Sequence, residues 1–312
     1  MTSELMDAAA AGTWRLGDRV VNRMGFGTMR LTANPDTSVA IRVLRRAVEL
    51  GVDHFDTAAF YCSPGGIIDV GPGPVRYATE LIRAALGSYR HRVLLATKVG
   101  PMLLPDGRWS AADSPELLRG QVVENLRRLG VEALDLVNLR ITRNVAVPLA
   151  ERFGALAEMR SEGLIRHLGL SNAALGDLNE AERIAPVAGV QNAYSLGVRG
   201  DEELLRVCGE RGIAFVPFFA IAGARREAGV ALPSDPDLRR EAEVLRVAAR
   251  HGVSEHQVRL AWTLHQGPHV LAIPGTGDVA HLEQNVAAAA LRLSETDLAD
   301  LGRPLTPDDA SE

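Results

Sequence analysis

Lysine is almost missing from this chain of 312 residues. Of its 34 lysine and arginine residues, only Lys98 is a lysine, and the other 33 are arginines. An arginine stays charged in a protein, whereas burial and neighbouring charges can tune the pKa of a lysine amine. A single lysine kept in such a sequence suggests a site that requires an amine, and the alternative is a buried structural ion pair.

Other scarcities exclude several classes of protein. Cys62 and Cys208 are too few for a disulfide framework or a cysteine-based metal site. The formal net charge is −5 and no basic block occurs, so neither nucleic acid nor a membrane surface is an expected partner. The longest apolar run, residues 215–224, contains a proline and falls short of the roughly 18 residues that a spanning helix needs. The first twelve residues lack a signal-peptide pattern, so we expect a cytoplasmic protein.

Short β-rich runs alternate with helical patterns along the whole chain. After a β-hairpin predicted over residues 13–21, about eight strand-then-helix units follow without a break in composition. This order predicts a single α/β domain over residues 1–312, a (β/α)8 TIM barrel. A doubly wound sheet normally carries G-x-G-x-x-G after its first strand, but Arg30 stands at the third glycine position after Gly25 and Gly27. The predicted strands are residues 24–28, 52–56, 93–97, 134–139, 165–172, 187–191, 213–218 and 270–273. The predicted helices include residues 75–86, 114–129, with Ser114 as the cap and Pro115 in the first turn, 238–251 and 279–290, and a polar tail follows the last of them.

The ends of these strands hold the candidate site, because a barrel of this kind performs its chemistry at the carboxyl ends of its strands. We expect Asp56 to pair with Lys98, and the ammonium to hydrogen-bond Tyr61 and lower the pKa of the phenol from about 10 toward working pH. Tyr61 then serves as a general acid toward a developing alkoxide. No histidine or acid set has the spacing of metal ligands, and no metal is expected. The other strand-end residues are Arg140, Ser171, Asn172, Gln191 and Phe218.

Eight short motifs, spread over essentially the whole chain, together resemble the aldo-keto reductase family. They are MGFGTM at 24–29, FDTAAFY at 55–61, ATK at 96–98, LDL at 134–136, GLSN at 169–172, QNAYS at 191–195, IPGT at 273–276 and EQN at 283–285. The resemblance implies a (β/α)8 barrel that binds NADPH in an extended pose and transfers a hydride to the carbonyl group of a small-molecule substrate.

The resemblance also implies roles for single residues. Asp56, Tyr61 and Lys98 match three places of the family's catalytic tetrad. Ser171, Asn172 and Gln191 would hold the nicotinamide carboxamide, and Phe218 would stack on its ring. The remaining positions expected at the cofactor are Thr28, Asp56, Gly275, Thr276, His281, Gln284 and Asn285.

Two positions depart from the family pattern. The fourth tetrad place, usually a histidine, holds Arg140; we hypothesise that its forked donors clamp a carbonyl or anionic oxygen and lower the pKa of Tyr61 further. The alternative is a structural ion pair, with weak or lost reductase activity. Where many relatives carry an arginine for the adenosine 2′-phosphate, Gly277 and Asp278 follow Thr276, which leaves His281 as the nearby basic residue. NADPH is therefore expected and NADH stays possible, and Asp278 either repels a phosphate or caps the next helix.

The substrate and its access route stay open. Residues 62–74 form a long Gly- and Pro-rich loop that either shapes access or is a surface insertion. Met102, Leu103 and Trp109 are candidates for an apolar wall. The favoured reading is a reductase of an aldehyde or ketone, such as a pyridoxal-like or natural-product carbonyl. The alternatives are a nucleotide-binding sensor or partner protein with little turnover, and enolate chemistry such as double-bond reduction or isomerisation. No heptad seam or outer apolar stripe indicates an oligomeric state.

Overall fold

The computed structural model describes residues 7–70, 73–104, 106–143, 145–221 and 238–302. In this part of the chain the strands are β1 (Thr13–Leu16), β2 (Arg19–Asn22), β3 (Phe26–Gly27), β4 (His54–Asp56), β5 (Cys62–Ser63), β6 (Arg76–Tyr77), β7 (Leu94–Val99), β8 (Pro101–Leu103), β9 (Trp109–Ala111), β10 (Leu134–Arg140), β11 (Ile165–Ser171), β12 (Val187–Gln191) and β13 (Ala214–Phe215). The α-helices are α1 (Thr37–Glu49), α2 (Ala78–Leu86), α3 (Pro115–Leu129), α4 (Leu149–Ser161), α5 (Leu175–Glu182), α6 (Glu202–Glu210), α7 (Leu238–His251), α8 (Glu255–His265), α9 (Val279–Ala287) and α10 (Glu295–Gly302).

The central sheet is parallel and closes on itself. Its strands lie in the order β13-β12-β11-β10-β7-β4-β3. Residues 270–272 fill the gap between the two ends of the sheet: Phe215 forms a parallel bridge with Val270, and Met24 forms one with Ala272. Gly25 N donates to Ala272 O at 2.8 Å, which continues the ladder. These residues act as the eighth strand, and the predicted (β/α)8 barrel with its N-terminal hairpin is confirmed.

The hairpin of β1 and β2 closes the amino-terminal end of the barrel. Its Leu16 and Val21 belong to the apolar cluster that fills the interior, together with Leu94, Leu136 and Leu271. A larger apolar cluster packs between the sheet and the helices. Because side chains plug one end, the carboxyl ends of the strands form the open end, where a barrel carries its site.

Several predicted boundaries hold because local signals define them. The predicted cap of α3 is present, since the Ser114 side chain accepts a hydrogen bond from Leu117 N and Pro115 occupies the first turn. Gly130 ends that helix with φ 67°, a left-handed conformation that suits glycine. The predicted strand at 187–191 and the helix at 238–251 also match β12 and α7.

Other boundaries were wrong. The helix predicted over 75–86 begins only at Ala78, because β6 pairs with β5 in antiparallel register. The strand predicted over 213–218 is shorter, and that over 270–273 consists of isolated bridges. The expected polar tail contains α10. The single domain over residues 1–312 stays a prediction, and residues 222–237 lie outside the described ranges.

Candidate active site

Lys98 and Asp56 form a buried ion pair at two neighbouring strand ends. The strands β4 and β7 pair in parallel, with Asp56 beside Ala96. Lys98 follows Ala96 by two residues, so it faces the same side of β7, one layer nearer the open end of the barrel. Lys98 Nζ donates to both Asp56 carboxylate oxygens at 2.6 Å and to Thr57 O at 3.1 Å. Lys98 is 1% exposed and Asp56 is 4% exposed. The predicted pairing is therefore present, and the close hydrogen bonds offset the cost of burying both charges.

Tyr61 lies beside this pair. A turn after β4 places it there, since Tyr61 N donates to Ala58 O at 3.0 Å. Lys98 Nζ lies 4.7 Å from the centroid of the Tyr61 ring. Tyr61 is 8% exposed and packs against Ala58 and Ala78, with the Phe60 ring edge-on at 5.3 Å between centroids.

Burial decides the direction of the pKa shift of Tyr61. Burial raises the pKa of the phenol above its ordinary value, and the Asp56 carboxylate adds to the rise. The charges of Lys98 and Arg140 and hydrogen bonding to Lys98 lower the pKa, but by less. The prediction of a net fall toward working pH is therefore wrong, because removing the phenolate from water costs more free energy than the two cations return.

Arg140 ends β10 at the barrel mouth, opposite Ser171 of β11. Its Cζ atom lies 5.3 Å from the centroid of the Phe218 ring. The half-buried guanidinium forms no hydrogen bond or ion pair with any residue in the described part of the chain. The structural ion pair considered above is thus not formed there, and the Arg140 donors stay available.

Ser171 and Gln191 offer two buried polar atoms without a partner. Gln191 donates from Nε2 to Asp56 Oδ1 at 2.9 Å, and its Oε1 has no hydrogen bond within the described structure. Ser171 Oγ is likewise unpaired there, and both residues are almost completely buried. Unpaired buried polar atoms are uncommon because each one costs free energy. A carboxamide, which has both an acceptor oxygen and a donor amide NH2 group, fits this pair of atoms.

The other residues expected at the cofactor line the same mouth. Asn172 follows Ser171 with φ 56°, and its N donates to Gln191 O at 3.1 Å. Phe218 N donates to Asn192 O at 3.0 Å, and the Phe218 ring lies beside Arg140. Thr28 is buried, and its Oγ1 donates to Asp56 O at 2.9 Å, so its side chain holds the backbone of the carboxylate residue.

The residues after position 273 that are expected at the cofactor differ in their exposure. Gly275 lies against Gly27, since a Cβ atom on Gly275 would lie 2.5 Å from Gly27 O. Asp278 caps α9 by accepting a hydrogen bond from His281 N at 2.9 Å. Of the two explanations for Asp278, the cap is thus present in the structure. Thr276 and Asn285 are buried, whereas Gln284 and the His281 side chain face solvent.

A β-hairpin and two aromatic side chains form a wall next to Tyr61. The strands β8 and β9 pair as a hairpin, which carries the predicted wall residues Met102, Leu103 and Trp109. The Trp109 ring lies edge-on to Phe60, with 6.0 Å between centroids. Phe60 was not predicted, because a residue in a short loop carries no periodic signal.

Two polar residues that shape the site were not predicted from the sequence. Buried Asn138, two positions before Arg140, fills the space left by Gly169, since a Cβ atom on that glycine would lie 2.1 Å from Asn138 Oδ1. Arg76 donates from Nε to Thr32 O at 3.0 Å. That bond fixes the base of the loop at 62–74, of which residues 71 and 72 lie outside the described ranges.

The fold and the site together define a (β/α)8 barrel oxidoreductase with a tyrosine beside a buried acid–amine pair. Residues 23–303 match the model of the Aldo/keto reductase family, and the chain belongs to that family. It is 39% identical to pyridoxine 4-dehydrogenase of Escherichia coli, over 94% of this chain and 98% of that protein. It is 38% identical to an uncharacterised oxidoreductase of Schizosaccharomyces pombe, over 99% of this chain and 94% of that protein.

Solved structures agree with this assignment. An aldo-keto reductase from Klebsiella pneumoniae in complex with NADPH has a TM-score of 0.76 and 28% identity, over 93% of each chain. The predicted family and an NAD(P)H-dependent oxidoreductase are confirmed. Within the described ranges, no helix is long and apolar enough to cross a membrane, and no three His, Cys, Asp or Glu side chains are grouped to hold a metal ion.

Proposed function

We propose that this protein reduces an aldehyde or ketone to an alcohol with NADPH, and that Tyr61 is the general acid. The observation that carries the proposal is the buried Asp56–Lys98 pair beside Tyr61, at the mouth that also holds the unpaired polar atoms of Ser171 and Gln191. The family membership supports the same reaction class.

The protein residues manage the proton and the substrate oxygen. When bound, NADPH would supply the hydride for the carbonyl carbon. Tyr61 donates its phenol proton to the carbonyl oxygen, and its raised pKa keeps that proton in place at neutral pH. Lys98 stabilises the phenolate that remains, Asp56 holds Lys98, and Arg140 orients the carbonyl oxygen.

The cofactor would bind along the strand ends. Ser171, Asn172 and Gln191 would hold the nicotinamide carboxamide, and Phe218 would lie against the ring. Thr28, Gly275, Thr276, His281, Gln284 and Asn285 would border the rest of the molecule. Exposed His281 would face the 2′-phosphate, and the complex of the Klebsiella pneumoniae relative with NADPH supports the choice of NADPH over NADH.

The substrate is proposed to be a small aldehyde of the pyridoxal kind. The similarity to pyridoxine 4-dehydrogenase supports this class. The aromatic residues Phe60 and Trp109 beside Tyr61 suit a flat ring. The cytoplasmic location is part of the same proposal, since two free cysteines suit a reducing compartment.

Oxidation of NADPH by a panel of aldehydes tests the proposal. We expect turnover with pyridoxal and with benzaldehyde, a tighter complex with NADPH than with NADH, and a loss of about 10²–10⁴ in kcat for Tyr61→Phe with NADPH binding retained. Tight NADPH binding without turnover of any aldehyde would instead support the nucleotide-binding sensor. Reduction of a conjugated double bond, with the carbonyl left intact, would support enolate chemistry.

A further inference from the structure

The mouth of the barrel holds one positive charge that no described residue balances. The charge of Lys98 is matched by Asp56, through hydrogen bonds of 2.6 Å to both carboxylate oxygens. Arg140 has no such partner in the described ranges and lies half-buried beside Phe218. A half-buried cation is screened less by solvent than an exposed one, so it attracts an anion more strongly.

We propose, on the basis of the function proposed above, that Arg140 selects substrates with a second, negatively charged oxygen next to the reacting carbonyl. A planar guanidinium presents parallel N–H donors that match two oxygens lying within about 3 Å of each other. Tyr61 has one O–H group to give, and it goes to the carbonyl oxygen. One Arg140 donor shares that oxygen, and the other is directed at the neighbouring oxyanion.

The aromatic side chains around the mouth indicate which kind of substrate, among those with two such oxygens, fits the site. The Phe60 and Trp109 rings form an edge-to-face pair on one side of Tyr61. Flat apolar rings favour a flat aromatic ligand. The structure therefore favours an aryl aldehyde with an ionised hydroxyl group in the ortho position over an open-chain 2-oxo acid, which offers the same two oxygens without a ring.

Two isomeric substrates test the selection. 2-Hydroxybenzaldehyde and 4-hydroxybenzaldehyde differ only in the position of the hydroxyl group, and both are compared at a pH at which the phenols are ionised. We expect the wild-type kcat/KM to be about tenfold or more higher for the ortho isomer, as a charge-assisted hydrogen bond implies. 2-Methoxybenzaldehyde, whose ortho oxygen is uncharged, should show no comparable gain in kcat/KM over 4-hydroxybenzaldehyde. A wild-type ratio close to one, or faster turnover of pyruvate, an open-chain 2-oxo acid, than of 2-hydroxybenzaldehyde, would overturn the inference.

Variants separate recognition from a structural role. Arg140→Met should bring the ortho-to-para ratio close to one, and Arg140→Lys should leave an intermediate ratio, because it keeps the charge and loses the fork. The control Arg119→Met removes an exposed pair with Glu162 and should leave the ratio unchanged. An unchanged ratio in Arg140→Met contradicts the inference. If neither isomer is reduced although NADPH binds, the proposed function fails; if both are reduced equally, only the recognition by Arg140 fails.

Discussion

Gln191 donates a hydrogen bond from Nε2 to Oδ1 of Asp56 at 2.9 Å, and its Oε1 lies buried without a partner in the described structure. The amide thus has one end on the acid–amine pair and the other end free for a carboxamide donor. The two residues are 135 positions apart in sequence. We infer that Gln191 joins the cofactor subsite to the catalytic pair.

Replacing Gln191 tests this connection. We expect Gln191→Met to raise the dissociation constant of NADPH about tenfold, the effect of about 1.4 kcal/mol that one buried hydrogen bond contributes. Fluorescence titration measures it. The control Gln266→Met changes a glutamine at the end of α8, whose Nε2 donates to Trp262 O, and should leave NADPH binding unaltered. Equal affinities of the Gln191→Met and wild-type proteins would exclude this role.

The raised pKa of Tyr61 predicts a particular pH profile. The general acid is active when protonated, and burial moves its pKa above the ordinary value of about 10. We expect kcat/KM for reduction to stay level through neutral pH and to fall only in the alkaline range. Alcohol oxidation, which needs the phenolate, should instead accelerate as the pH rises. Steady-state rates in both directions measure this, and a decline of reduction already near pH 7 would mean that the cations outweigh burial.

The Asp56–Lys98 pair allows stability and catalysis to be separated. Lys98→Met leaves the Asp56 carboxylate buried without its ammonium, and we expect it to lower the free energy of unfolding by about 3–5 kcal/mol. The double variant with Asp56→Asn removes both charges and should recover much of that loss. Turnover should stay low in both, because Tyr61 has lost the ammonium beside it. Urea unfolding and NADPH oxidation, measured on the same samples, provide the comparison; restored turnover in the double variant would contradict the role of Lys98.

Arg23 is predicted to stabilise the end of the barrel away from the site. Its guanidinium donates to Val270 O at 3.1 Å, Ala11 O at 3.0 Å and Gly267 O at 2.6 Å, and also to Leu264 O. Arg23→Met would remove these four hydrogen bonds to main-chain oxygens, although Gly267 O would keep the bond from Val270 N, and we expect a cost of about 3 kcal/mol or more in unfolding free energy.

Thermal unfolding measures the effect of Arg23→Met, with kcat/KM expected to be unchanged below the transition. As a comparison, Arg119→Met removes only an exposed ion pair with Glu162 and should cost about 0–1 kcal/mol. Similar losses in the two variants would show that the carbonyl contacts of Arg23 do not contribute as proposed.

The sequence was sufficient to predict the barrel and the grouping of Asp56, Lys98 and Tyr61 at its mouth. Alternating strand and helix patterns, the cap at Ser114 and the glycine at 130 are local signals, and each depends on residues a few positions apart. The single lysine, at the end of a predicted strand, was also visible in the sequence. Its position pointed to the site, because the carboxyl ends of parallel strands meet at one face of a barrel. Nothing local indicated that residues 76 and 77 pair with β5 instead of starting a helix.

How the site residues act on one another follows from the folded structure. Whether the pKa of Tyr61 rises or falls depends on how completely the chain buries the phenol, and burial outweighs the charges of Lys98 and Arg140. The bond from Gln191 to Asp56 and the unpaired state of Arg140 are likewise set by distances between strands far apart in sequence. Sequence identifies which groups converge; their burial and spacing, which set their electrostatics, follow from the folded chain.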